Sequence, residues 1–164
     1  MIIDAAFEHV SDDMAEKIVC GYDNDFCFVI PHDLPRRATP DSAGYDIVSP
    51  INIDLDPEEE LVIPTFLKCR IPEGWFLAIY PKSGLGWKFY TRIANTVGIV
   101  DGDYYNNADN EGHIMVKLRN EGSKPLHIEA GKSFAQAVFQ PYGICRDEVR
   151  PVRKRAGGFG STNS

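Results

Sequence analysis

The chain has no apolar stretch near the ~20 residues that a membrane span needs. Basic residues are also scarce, with 17 Lys and Arg against 24 Asp and Glu, for a net charge of −7. A broadly basic nucleic-acid-binding surface is therefore disfavoured, although a local basic patch is not. Only four cysteines occur (Cys20, Cys27, Cys69, Cys145), none in a CxxC pair. That spacing argues against a disulfide framework or zinc site and for reduced, mostly buried thiols in a cytoplasmic protein. The four histidines (His9, His32, His113, His127) form no HxxxH pattern. GxxxxGK[ST] and GxSxG are both missing, which sets aside P-loop and elbow-serine chemistry. Met1 to Val10 carries Asp4 and Glu8 and no basic n-region, unlike a signal peptide.

What is present is punctuation. Within 164 residues there are 14 Gly and 11 Pro, a density that suits many short strands joined by turns. A chain of this length fits one domain with its own core. Ser11 can cap a helix over Asp12 to Val19, with Asp12 and Asp13 at the positive end of its dipole. Beyond Gly21 the texture is that of strands. Phe26 to Ile30 reads as one, stopped by Pro31, and a proline-rich connector follows. Ile51, Ile53 and Leu55 alternate with Asn52 and Asp54, the period of a half-buried strand. Short apolar runs recur at 45–48, 61–63, 66–69, 76–80, 93–94, 99–100, 114–118, 126–128 and 134–139. About ten such strands predict an all-β sandwich, barrel or jelly roll. From Arg150 the chain is basic, then rich in Gly and Ser, and reads as a mobile tail.

Three segments carry chemical potential. Ser83-Gly84-Leu85-Gly86 follows a strand and Lys82, so backbone N–H groups, a hydroxyl and an ammonium could meet an anion in a strand-end turn. Asp101-Gly102-Asp103-Tyr104 closes the run Val97 to Val100. Two carboxylates two residues apart on an extended segment would share a face and could bind a metal or supply a general base. Gly157-Gly158-Phe159-Gly160-Ser161-Thr162 stands behind Arg150, Arg153, Lys154 and Arg155, a pairing of phosphate donors with a ring that can stack. Each segment also has a plain structural reading, as a strand-end turn, a solvated turn and a solubilising tail.

Their order is more telling than any one of them. Ser42-Ala-Gly-Tyr-Asp46, Pro81-Lys-Ser-Gly-Leu85, Asn95-Thr-Val-Gly-Ile-Val-Asp-Gly-Asp-Tyr104, Gly131-Lys-Ser-Phe-Ala-Gln-Ala-Val-Phe139 and Gly157-Gly-Phe-Gly-Ser-Thr162 resemble the five ordered motifs of the trimeric dUTPase family. The resemblance runs from about Phe26 to the C-terminus. It implies a distorted jelly-roll β-barrel with one short helix in the chain and an N-terminal helical segment. It also divides the chain into one domain over 1–152, with an extension over 1–24, and a flexible arm over 153–164.

The activity implied is hydrolysis of dUTP to dUMP and pyrophosphate by a cytoplasmic homotrimer with shared sites. Mg²⁺ would be held mainly by phosphates and waters, with no direct protein ligand assigned, and no nucleic-acid or membrane partner is expected. Carried over by motif, Asp101 resembles the carboxylate that activates water. Asn95 and the backbone near Gly98 resemble the uracil readers, and Tyr104 the ring beneath the deoxyribose. Lys82, Ser83, Gly84 and Gln136 resemble the phosphate contacts, supported by Asp46. Lys154, Phe159, Gly160, Ser161 and Thr162 resemble the arm that closes over the nucleotide.

The chain departs from the family pattern in places. Lys82 stands where the family has Arg, keeping charge without the bidentate fork. Lys132-Ser133 replaces an acidic–basic pair, and Lys154 takes another Arg position. Tyr105 to Glu111 reads as an inserted polar loop next to the site. Two rival readings compete with the dUTPase resemblance. A dCTP deaminase on the same fold would lack the terminal arm and would place a catalytic Glu soon after the Asp, whereas the nearest acid beyond Asp103 is Asp109 and the nearest Glu is Glu111. A non-catalytic nucleotide- or protein-binding module is disfavoured by the retained Asp101, Tyr104 and arm.

Overall fold

The computed structural model describes residues 1–23, 25–149 and 151. In chain order its elements are β1 (Ala6–His9), α1 (Asp12–Cys20), β2 (Arg36–Arg37), β3 (Tyr45–Val48), β4 (Ile53–Leu55), β5 (Glu60–Pro64), β6 (Leu67–Arg70) and β7 (Trp75–Pro81). Then come α2 (Ser83–Phe89), β8 (Thr91–Ile93), β9 (Gly98–Val100), one 3₁₀ turn (Gly102–Tyr104), β10 (Met115–Asn120), β11 (Leu126–Ile128) and β12 (Ser133–Pro141).

The strands form four small sheets: β2-β3-β12-β7-β9, β5-β10-β8, β11-β4 and β1-β6. Every pairing among the described strands is antiparallel. The sheets stay open and wrap a shared core, which makes a distorted jelly roll. Ile47, Ile51, Ile53, Ile63, Leu77, Leu118 and Phe134 are fully buried at its centre. All but Ile51, which lies just before β4, come from strands, and in β4 and β10 the period-two pattern sets which side chains enter this core.

Two features differ from expectation at the N-terminal end. Phe26 to Ile30 forms no strand. Its Phe28 packs edge-on against Phe66 with centroids 5.7 Å apart, and Val29 N donates to Pro50 O, but no ladder forms. Ala6–His9, by contrast, is a strand paired with β6. Its Phe7 enters the main core, against Tyr45 and Phe139 at 5.4 and 5.7 Å. The helix α1 is capped as expected, with Ser11 Oγ accepting from Met14 N. It seals a second cluster of Val10, Ile18 and Phe66. Residues 6–20 are thus built into the fold.

The cysteine expectation is corrected. Cys69 is buried, and burial pushes its thiol up to about 12, but Cys20, Cys27 and Cys145 are exposed. The reason is local: Cys20 ends a helix on its solvent side, and Cys27 and Cys145 lie in segments without ladder partners.

Candidate functional site

The five-stranded sheet organises the candidate residues. Its central strand β12 pairs Gln136 with Asp46 of β3 on one side and with Tyr80 of β7 on the other. Lys82 N donates to Phe134 O as β7 ends, which brings Lys82 over the same strand. Lys82 Nζ meets Asp46 Oδ1 at 2.5 Å in a half-buried ion pair. Gln136 Nε2 donates to Pro81 O at 3.2 Å. A methyl group on Gly44 would stand 2.6 Å from Gln136 Oε1, so only glycine leaves that amide its place. Sequence reasoning missed this role of Gly44, although the residue lies inside the first quoted motif.

Ser83 and Gly84 do not form the simple turn expected from Ser-Gly-Leu-Gly. They open α2, whose N-cap is Lys82. Lys82 O takes Leu85 N and Gly86 N, so the peptide folds into a helix at once. The outcome for anion binding is similar, since the N–H groups of the first two helical residues, Ser83 and Gly84, have no carbonyl within the helix to bond. A Cβ on Gly84 would meet nothing within 4 Å, and both residues are exposed.

A second set lies at the far edge of the same sheet. β9 pairs with β7 through Gly98↔Ile79, and a Cβ on Gly98 would approach Ile79 Cβ to 3.1 Å. Ala94 and Asn95 form the preceding tight turn, closed by Thr96 at φ +66° with its N–H bonded to Ile93 O. Asn95, Gly98 and Tyr104 line a cavity of about 450 Å³ whose other walls are apolar except for Lys117, among them Val62, Ile79, Ile114 and Val116. Asp101 follows β9 directly and is half-buried at the start of the 3₁₀ turn.

That turn corrects one expectation. Asp101 and Asp103 do not share the face of an extended segment, because the chain bends at Gly102, where a Cβ would lie 3.2 Å from Ile71 O. Asp101 is extended just before the turn, its carbonyl accepting from Tyr104 N at 3.2 Å, whereas Asp103 lies inside the turn. The expected metal-binding use of the two carboxylates as a pair loses its geometric basis. Among the described residues, no group of three or more His, Cys, Asp or Glu side chains could hold a metal ion.

Tyr104 is 7% exposed. Its hydroxyl donates to His113 O at 2.8 Å and accepts from Asn110 Nδ2 at 2.7 Å. The segment 105–111 is an ordered loop built around Asn107, 8% exposed. Asn107 Oδ1 accepts from Asp109 N and Asn110 N, and its Nδ2 donates to Tyr104 O and Asn110 Oδ1. All four bonding positions of this amide are filled. A run rich in Asn was the available signal for such a self-bonded loop.

The sequence-derived residues therefore fall into two groups, Asp46, Lys82, Ser83, Gly84 and Gln136 on one side and Asn95, Gly98, Asp101 and Tyr104 on the other. Neither Lys82 nor Gln136 lines the apolar cavity. Lys154, Phe159, Gly160, Ser161 and Thr162 lie outside the described residues.

Fold and site together define a jelly-roll protein with an anion-suited end of β7 and a ring-walled cavity between the five-stranded sheet and β5-β10-β8. Comparison with known proteins gives the family. The dUTPase family model matches residues 31–163. Deoxyuridine 5'-triphosphate nucleotidohydrolase of Lactococcus lactis is 40% identical over 133 residues, covering 80% of this chain and 89% of the relative. The Brucella melitensis protein of the same name is 37% identical over 140 residues, covering 80% and 85%. The crystal structure of dUTPase from Streptococcus mutans superposes with a TM-score of 0.67 at 29% identity, over 85% of this chain and 97% of that one. The dUTPase from phage phi11 of S. aureus shares the fold, with a TM-score of 0.63 at 21% identity over 93% and 97%. The chain belongs to the dUTPase family.

Proposed function

We propose that the protein hydrolyses dUTP to dUMP and pyrophosphate. The observation that supports this best is the cavity walled by Asn95, Gly98 and Tyr104, with Asp101 at the end of the strand that forms its floor. In this reading Asn95 and the β9 backbone pair with the polar edge of uracil. Cytosine presents a donor where uracil has an acceptor, leaves polar groups unpaired, and is rejected. The Tyr104 ring closes the space beneath the sugar.

The substrate is the magnesium salt of the triphosphate, because its oxygens suit a hard cation. Asp101 takes a proton from water as the water oxygen bonds to the α-phosphorus. The bond from that phosphorus to the bridging oxygen breaks, and pyrophosphate leaves. Lys82, Ser83, Gly84 and Gln136 hold phosphate oxygens, and the ion pair with Asp46 fixes the Lys82 ammonium.

The separation of the two residue groups within one chain fits a homotrimer in which each site joins pieces of different subunits. The arm, with Lys154, Phe159, Gly160, Ser161 and Thr162, would close over the nucleotide. A cytoplasmic place, with uracil kept out of DNA and dUMP supplied for dTMP synthesis, follows from the same reading. Neither nucleic acid nor membrane is a partner in it; no helix among the described residues is long and apolar enough to cross a membrane. A pyrophosphate-release assay across dUTP, dCTP, dTTP and UTP tests the reading. Turnover confined to dUTP is expected, and equal or absent turnover across the four would defeat it.

A further inference from the structure

We infer that the N-terminal strand–helix unit and the 105–111 loop act as one brace that fixes Tyr104, so that residues outside the family match contribute to sugar selection. The inference rests on the reading of Tyr104 as the ring beneath the sugar.

The brace begins at the phenol. Tyr104 places its ring on the cavity wall and turns its hydroxyl inward, where its proton goes to His113 O and Asn110 Nδ2 donates to its oxygen. A hydroxyl bonded in this way excludes by shape, and the ring position then sets the discrimination. Asn110 is itself held, since its Oδ1 accepts from Asn107 Nδ2 and Gly112 N. Gly112 has φ +81°, and a Cβ there would lie 2.6 Å from Tyr104 O, so the loop can lie against the Tyr104 backbone only with glycine at its exit.

The loop's base is tied to the N-terminal unit. Asn106 N donates to Glu111 O and closes it. The Glu111 carboxylate takes Ser11 N at 3.0 Å and Ser11 Oγ at 2.5 Å, and Ser11 is the cap of α1. Lys68 Nζ joins Asn106 Oδ1 at 2.8 Å to Glu111 Oε2 at 3.3 Å. Tyr105 donates its hydroxyl to Glu8 of β1 at 2.7 Å. The phenol's other anchor leads to the same unit. His113 Nε2 accepts from Phe66 N, and Phe66 packs with Val10 and Ile18. Both bonds of the Tyr104 hydroxyl thus trace back to residues 8–18. Asn110 and Glu111 are positioning residues, acting through Tyr104.

The test measures kcat/KM for magnesium dUTP and magnesium UTP in the full chain, for wild type, Asn110→Ala, Glu111→Ala and Glu111→Gln, each well below its own melting temperature. Loss of one hydrogen bond on the ring's mounting should lower the dUTP-over-UTP ratio about five- to tenfold in Asn110→Ala and Glu111→Ala. Glu111→Gln, which keeps an acceptor for Ser11, should recover part of the ratio. A merely structural loop would scale both substrates down together, and an unchanged ratio would overturn the brace. If Glu111→Ala fails to fold, Asn110→Ala and Glu111→Gln decide. A wild type inactive on dUTP would defeat the reading of the site, and the brace with it, a result distinct from activity with unaltered discrimination.

Discussion

At the scale of single residues, the chemistry depends on side chains set by backbone events one or two positions away. Asp101 stands just before the bend at Gly102, with Asp103 inside the turn and its own carbonyl accepting from Tyr104 N. Asp101→Asn keeps that geometry and removes the proton acceptor. Turnover should fall by about two to four orders of magnitude with nucleotide affinity largely kept, as read by steady-state rates beside calorimetric titration with a non-hydrolysable analogue. Retention of half the wild-type turnover would remove Asp101 from the mechanism. His113 carries a second expectation. It is 2% exposed, and burial pushes its imidazole down to about 4. The unfolded chain, near 6.5, then holds the extra proton between those values, so stability is complete above about pH 6.5 and is lost as pH falls toward 4. The slope there should reach about 1.4 kcal/mol per pH unit, and urea melts across that range should show it flattened in His113→Gln. The motif residues themselves were legible in order and spacing. Their mountings were not: Gly44 under Gln136, and Asn110 and His113 on Tyr104, join positions that no local pattern links.

At the scale of elements, legibility followed neighbours more than texture. The alternation of Ile53 and Leu55 foretold β4, which buries both side chains and pairs with β11. Phe26 to Ile30 is an unbroken apolar run that forms no ladder: Val29 N reaches Pro50 O, and Phe26 N bonds only to the local Asp23 O. The strand β1 has a single strong apolar residue, Phe7, and was invisible until β6 paired with it. Two glycines hid α2, which forms around Lys82 O. Because Phe7 reaches the main core, Phe7→Ala should cost about 3–5 kcal/mol, the scale of a buried aromatic truncation, in chemical denaturation. A loss under 1 kcal/mol would make the N-terminal strand an ornament. The arm belongs to this scale as well. Deleting Gly157 to Ser164 should leave the melting temperature within a few degrees and nearly abolish turnover, with Phe159→Ala intermediate. Hydrolysis by the truncated chain at the full-length rate would show the arm to be passive.

At the scale of the whole molecule, large apolar side chains remain on the surface: Trp87 at 88%, Tyr90 at 71%, Ile99 at 62% and Ile144 at 63% exposure. Ile99 also lines the site cavity. Such exposure suits contact with further copies of the chain. Light scattering on active protein should give three times the 18.3 kDa chain mass. A fully active monomer would contradict the shared-site arrangement.

The place of β12 has a further consequence, in time rather than space. β3 and β7 flank it without touching each other, and among the described strands β12 is the last in sequence. Until it arrives, two strands wait with open edges, and Asp46, Lys82 and Gln136 have no common sheet. Long-range pairing of this kind slows folding and leaves unpaired edges exposed meanwhile. The molecule brings Asp46, Lys82 and Gln136 together in the same closing step that completes its largest sheet, so a chain stalled before that step lacks this cluster and is open to aggregation.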